Sequence, residues 1–97
     1  MLKHIVMFKL KDPTPAALAE AKARIEALYG QIPELLRIEV GINIVESPRA
    51  YHFALVSEFD SLDALRAYQA HPAHVEMLGW LNPRLDVAAA VDYEVMG

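Results

Sequence analysis

Cysteine is absent from the sequence. The chain therefore cannot form a disulfide, bind a metal through thiolates or use a cysteine as a nucleophile. No motif for binding flavin or haem is present either. We therefore expect no cofactor.

Positive charge is also sparse. Nine Lys and Arg residues are spread among 13 Asp and Glu residues, which gives a formal net charge of −4. Binding to a nucleic-acid backbone normally requires a concentrated basic surface. We therefore expect no nucleic-acid partner.

Long apolar runs are missing as well. The N-terminal run that begins at Ile5 is interrupted at Lys9, so it is too short for a signal sequence or a membrane span. We therefore expect a soluble cytoplasmic protein that has no membrane partner.

Hydrophobic residues are abundant despite these absences. The chain has 97 residues, of which 55% are hydrophobic, against roughly 45 to 50% in an average soluble domain. We expect one domain over 1–97, and a domain of this size buries only a limited share of its surface. The excess of apolar residues indicates an oligomer.

Hydrophobic periodicity predicts six main elements. Alternation over 3–11, 36–44, 51–59 and 87–95 is typical of strands, and helical spacing occurs between Thr14 and Gly30 and again from Leu62 to Leu81. Thr14 and Pro15 are suitable for a helix start, Gly30 for a helix stop, and Pro72 divides the second helical region. Small residues at 88–90 leave room for either a closely packed helix or a ligand.

The order strand, helix, strand, strand, helix, strand predicts an α+β fold of the ferredoxin-like class, with a four-stranded antiparallel sheet and helices on one face. The other face of the sheet would then lack cover. Its apolar side chains indicate a homodimer in which two sheets close into a dimeric α/β barrel.

Four elements resemble a known family. They are Lys3-His4-Ile5-Val6, Phe59, Tyr68 with His71-Pro72-Ala73-His74, and Val91-Asp92-Tyr93. Together they resemble the stress-responsive A/B barrel domain (Dabb, or dimeric α/β barrel) family over essentially the whole chain. The resemblance implies a homodimer of ferredoxin-like subunits.

Most members of this family have no assigned activity, but they include the plant olivetolic acid cyclase, which performs a cofactor-free aldol cyclisation. The resemblance of this chain to the cyclase implies that His74 is a general base and that Tyr68 orients it through a hydrogen bond. It also implies that His4 approaches His74 from the first strand. His71, Ile25 and Trp80 are further candidate ligand-binding residues. Where many members have Tyr-Thr-His on the third strand, this chain has Tyr51-His52-Phe53, so an apolar ring would replace a polar group.

Structural alternatives exist for the histidine, tyrosine and tryptophan candidates. His71 and His74 could cap helix ends, His4 could bond to the backbone, and Tyr68 and Trp80 could pack in the core. His71 and His74 also have a spacing compatible with a metal, but a third ligand in a recognisable place is missing, so we expect no metal site.

The favoured function is a homodimeric Dabb protein of unassigned specific activity that binds a small apolar carbonyl-containing molecule near His74. The first alternative is a cofactor-free polyketide-type cyclase or lyase with His74 as base. The second is a structural stress protein without a ligand. Oxygenase activity is the weakest alternative, because flavin and haem motifs are absent.

Overall fold

The computed structural model describes residues 1–96. Its strands and helices, in chain order, are β1 (Leu2–Leu10), α1 (Pro15–Glu26), β2 (Arg37–Ile42), β3 (Phe53–Phe59), α2 (Leu62–Ala70), α3 (Pro72–Leu81), a 3₁₀ turn (Asn82–Arg84) and β4 (Leu85–Glu94). Within residues 1–96, no helix has the length and apolarity needed to cross a membrane.

The four strands form one sheet in the order β2-β3-β1-β4, and each neighbouring pair is antiparallel. This arrangement confirms the predicted ferredoxin-like fold. The register places His4 directly opposite Asp92 on β4 and opposite Ser57 on β3. Two residues that are 88 positions apart in the chain thereby become neighbours.

Alternate residues of the sheet face the helices. Phe8 and Leu10 of β1 form a buried cluster with Val40 of β2 and with Ala21 and Ile25 of α1. The alternation of Ile38, Val40 and Ile42 therefore serves the helix-covered face. The opposite face carries Met7 and a row of partly or largely exposed residues on β4, which are Val87, Ala89, Val91 and Tyr93.

The start of α1 agrees with the prediction, but its end does not. Thr14 accepts a hydrogen bond from the N–H of Ala17, and Pro15 is the first helical residue. The helix ends at Glu26 rather than at Gly30, and tight turns follow. Gly30 has a φ of 87° within these turns, a conformation that glycine adopts without steric cost.

The early end of α1 has a packing reason. Leu28 and Ile32 lie beyond the helix, in a second buried cluster with Phe59, Leu65 and Tyr68. A straight continuation of α1 would carry Ile32 further along the helix axis. The turns instead bring it back over the sheet.

The break between α2 and α3 positions the candidate site. Ser61 caps α2 through the N–H of Ala64. His71 has an extended conformation (φ −63°, ψ 138°), as expected for a residue that precedes proline. Its Nδ1 accepts a hydrogen bond from the N–H of Ala73 at 3.1 Å, so His71 caps α3.

Candidate functional site

His74 lies in the first turn of α3, and its ring is held by the end of α2. Its Nδ1 is 3.1 Å from the backbone oxygen of Gln69. Because a carbonyl oxygen only accepts, Nδ1 must carry the hydrogen, and in the neutral ring Nε2 then holds the lone pair. The last carbonyls of a helix lack partners within that helix, so the break at Pro72 provides the acceptor that fixes this tautomer.

The aromatic surroundings of His74 are closely packed. Its ring centroid is 4.6 Å from that of Tyr68, and the Tyr68 ring is in turn 4.9 Å from that of Phe59. The expected hydrogen bond from Tyr68 to His74 is therefore replaced by a ring contact. The Gln69 carbonyl, and not Tyr68, orients the imidazole.

Burial changes the proton affinity of both rings. Desolvation lowers the pKa of His74 below its ordinary value of 6.5, and the nearby His4 lowers it further, although the bond to Gln69 acts in the opposite direction. Desolvation raises the pKa of Tyr68 to about 12. At neutral pH the site thus presents a neutral imidazole beside a protonated phenol.

His4 forms a second oriented imidazole. Its Nδ1 is hydrogen-bonded to Oδ1 of Asp92 on the neighbouring strand. A carboxylate accepts, so Nδ1 of His4 donates, and Nε2 is the ring nitrogen that remains for another partner. The His4 side chain is only 10% exposed, whereas that of Asp92 is 40% exposed. The solvent-accessible carboxylate thus holds a buried ring in place.

A cavity of about 200 Å³ brings these groups together. His4, Tyr68 and His74 all line it, and Ile25 of α1 lines it as well. Most of the remaining wall is apolar and comes from the sheet and from α3: Val6, Phe8, Leu55, Met77, Leu81 and Ala88. Among residues 1–96, the wall includes no lysine, arginine or carboxylate side chain.

Two predicted ligand-binding residues lie elsewhere. His71 is occupied by its cap to the N–H of Ala73 and does not line the cavity. Trp80 lies beside a separate groove, and the guanidinium groups of Arg24 and Arg84 are each 4.5 Å from its ring centroid. These cation–π contacts fix Trp80 between α1 and the 3₁₀ turn.

Phe53 has the apolar role that its position indicated. Its ring stacks on Phe8 with centroids 4.5 Å apart, and it is 2% exposed. His52 lies outside the cavity wall, and its Nδ1 accepts a hydrogen bond from the N–H of Leu10. The third strand therefore contributes no imidazole to the site.

The sequence alone did not identify Asp92 and the Gln69 carbonyl as partners of the two histidines. Asp92 carried a usable signal, because it shares strand parity with Ala88 and Ala90 and interrupts their row of small apolar residues. The identity of the Gln69 side chain gave no such signal, since the backbone oxygen of Gln69 makes the contact with His74. Within the described residues, no group of three His, Asp or Glu side chains is arranged to hold a metal ion.

Comparisons with known proteins agree with this fold. A family model for the stress-responsive A/B barrel domain matches residues 2–95. An uncharacterised protein of Streptomyces coelicolor is 45% identical in an alignment of 78 residues, and the match covers 76% of this chain and 79% of that protein.

Two crystal structures of ferredoxin-like proteins of unknown function, both described as dimeric, are similar over nearly the whole chain. The Bacteroides fragilis protein is 39% identical with a TM-score of 0.84, and the match covers 97% of this chain and 95% of that one. The Thermobifida fusca protein is 32% identical with a TM-score of 0.85, and the match covers 97% and 90% of the two chains.

Proposed function

Because this chain belongs to the stress-responsive A/B barrel domain family, we propose that it forms a homodimer in which each subunit binds a small, largely apolar carbonyl compound beside His74. The cavity carries this proposal, since it combines a largely apolar wall with the polar rings of His4, Tyr68 and His74. Small-molecule sites commonly have this composition.

The uncovered face of the sheet supports the homodimer. Val91 is 62% exposed, and Met7, Val87 and Tyr93 are each 40% or more exposed. Large exposed apolar surfaces are typical of interfaces. The dimeric state of the similar B. fragilis and T. fusca proteins supports the same assembly.

The ligand follows from the hydrogen-bonding capacity of the rings. The Tyr68 hydroxyl is protonated at neutral pH, and burial raises its pKa further, to about 12, so it can donate to a carbonyl oxygen. The apolar wall favours an uncharged hydrocarbon body. A volume of about 200 Å³ corresponds to about seven water molecules at about 30 Å³ each, which is enough for one small ring with a short substituent.

A cofactor-free cyclase or lyase is the second candidate, and the His74–Gln69 bond favours it. This bond leaves Nε2 of His74 unprotonated, as a general base requires. Tyr68, which does not orient His74, is then available to donate to an enolate oxygen. His74 would take a proton from carbon while Tyr68 stabilises the charge that develops on oxygen.

Titration with acetophenone tests the binding proposal. We expect saturable binding by calorimetry and a loss of roughly fivefold in affinity in Tyr68→Phe, because one hydrogen bond is removed. Tyr29→Phe is the matched control. It removes the same hydroxyl group at a position that is 59% exposed and does not line the cavity. Absence of saturable binding would contradict the proposal and favour a structural protein without a ligand.

Turnover is tested separately with poly-β-keto thioesters. Binding without cyclisation supports the first candidate. Rapid cyclisation that falls by about 10² to 10⁴ in His74→Ala, as expected for loss of a general base, would instead establish the second.

A further inference from the structure

The two histidines present the same chemistry to the cavity. Nδ1 of His74 is engaged by the Gln69 carbonyl, and Nδ1 of His4 is engaged by Asp92. In the neutral form of each ring the hydrogen lies on Nδ1, and Nε2 is the acceptor. Two oriented acceptors in one largely apolar cavity favour a ligand with hydrogen-bond donors, because leaving a buried polar group unpaired is costly.

Both Nε2 atoms are accessible to a ligand. Among residues 1–96, neither Nε2 atom has a hydrogen-bond partner. Every fully buried side-chain nitrogen and oxygen in this part of the chain does have a partner. An Nε2 atom without a partner must therefore reach open space, and both rings line the cavity.

The charges around the cavity disfavour an anionic ligand. Its wall contains no lysine or arginine within the described chain. The carboxylate of Asp92, which is bonded to the cavity-lining ring of His4, repels negative charge. An anion would lose its hydration in an apolar site without gaining a cationic partner.

We propose that the ligand is a neutral hydroxylated carbonyl compound, whose hydroxyl groups donate to Nε2 of His74 and Nε2 of His4 while its carbonyl accepts from Tyr68. This inference rests on the proposed binding function and specifies the polar groups of the ligand. It assigns two acceptor positions, on His4 and His74, and one donor position, on Tyr68, within a cavity that Gln69 and Asn82 also line.

A ligand series tests the inference without altering the protein. Acetophenone is compared with a dihydroxyacetophenone, with the dimethoxy analogue of the same substitution pattern and with the corresponding dihydroxybenzoate. We expect the hydroxyl compound to bind about tenfold more tightly than its methoxy analogue, because the ether cannot donate. We expect the benzoate to bind more weakly than the ketone.

The two levels of the proposal fail differently. If acetophenone binds but the hydroxyl and methoxy compounds bind equally, or the benzoate binds most tightly, the hydroxyl inference is wrong and the binding function remains. If none of the four compounds binds, both are wrong.

Substitution of His74 tests whether its Nε2 is one of the acceptors for the ligand hydroxyl groups. In His74→Leu, shown to be folded by its melting transition, we expect the preference for hydroxyl over methoxy to fall to about threefold, because only Nε2 of His4 remains as an acceptor. His71→Asn, which retains an N-cap side chain outside the cavity, should keep the full preference. An unchanged preference in folded His74→Leu would overturn the role assigned to His74.

Discussion

Nδ1 of His74 is 3.1 Å from the backbone oxygen of Gln69, which lies five residues earlier on a different helix. The contact exists because α2 ends at Ala70 and α3 begins at Pro72. In a continuous helix, that carbonyl would accept a backbone N–H. The break therefore converts a helix-end carbonyl into the group that sets the tautomer of the site histidine.

The first prediction concerns stability and pH. Because the pKa of His74 is lowered from 6.5, the unfolded chain binds more protons than the folded chain between the lowered value and 6.5. The free energy of unfolding should therefore decrease as pH falls below 6.5, by at most about 1.4 kcal/mol per pH unit for this one group. Urea unfolding from about pH 7.5 to about pH 5 measures it.

His74→Leu provides the comparison for this slope. In His74→Leu, the free energy of unfolding should lose the part of its pH dependence that comes from His74. His71→Asn should retain that part. Because His4 and His74 interact, the difference between wild type and His74→Leu reports His74 together with its coupling to His4. Equal slopes in wild type and His74→Leu would contradict the prediction.

The second prediction concerns the helix cap at His71. Its Nδ1 accepts from the N–H of Ala73, so His71→Ala should destabilise the fold by about 1 kcal/mol. His71→Asn should restore most of the loss, since asparagine is a good N-cap. Neither change should alter affinity for acetophenone. A large loss of affinity in both variants, with stability unchanged, would show that His71 binds the ligand instead.

The third prediction concerns the volume of the cavity. Ala88 lies opposite Phe8 in the sheet and lines the cavity, so Ala88→Leu should occupy the space that a ligand needs. We expect acetophenone affinity to fall by at least about tenfold, or about 1.4 kcal/mol. Ala16→Leu, at an exposed position on α1, is the matched control. Unchanged binding in Ala88→Leu would place the ligand elsewhere.

Much of the fold was predictable because apolar residues recur at every second position along the strands. Ile38, Val40 and Ile42 alternate with polar or small residues, and they form β2 as expected. The end of α1 was not predictable in the same way. Leu28 and Ile32 continue the helical spacing, yet both are buried after turns that follow the helix. Spacing alone does not distinguish a longer helix from such turns.

The candidate site was predictable only in part. His4, Tyr68 and His74 were expected together, and all three line one cavity. Their partners depend on information that local sequence does not contain. The His4–Asp92 pair depends on the register of two strands from opposite ends of the chain, and the Gln69 contact depends on a backbone atom.

The fourth prediction concerns assembly. Val91 lies on the uncovered face of the sheet and is 62% exposed, so Val91→Glu should separate the proposed homodimer by burying an unpaired charge. Val75→Glu, at a position on α3 that is 56% exposed, should leave a dimer intact. Light scattering after size exclusion gives the mass of each protein. A wild type that is monomeric at micromolar concentration would contradict the proposed assembly.

The location of a bound ligand tests the account most directly. In a titration with acetophenone, followed by NMR of the imidazole and aromatic resonances, we predict saturable shifts of His4, Tyr68 and His74 and little change at His52, His71 and Trp80. The two sets lie in different places, since only the first lines the cavity. Saturable shifts confined to Trp80 and its groove, or no saturable shift at His74, would contradict the proposed site.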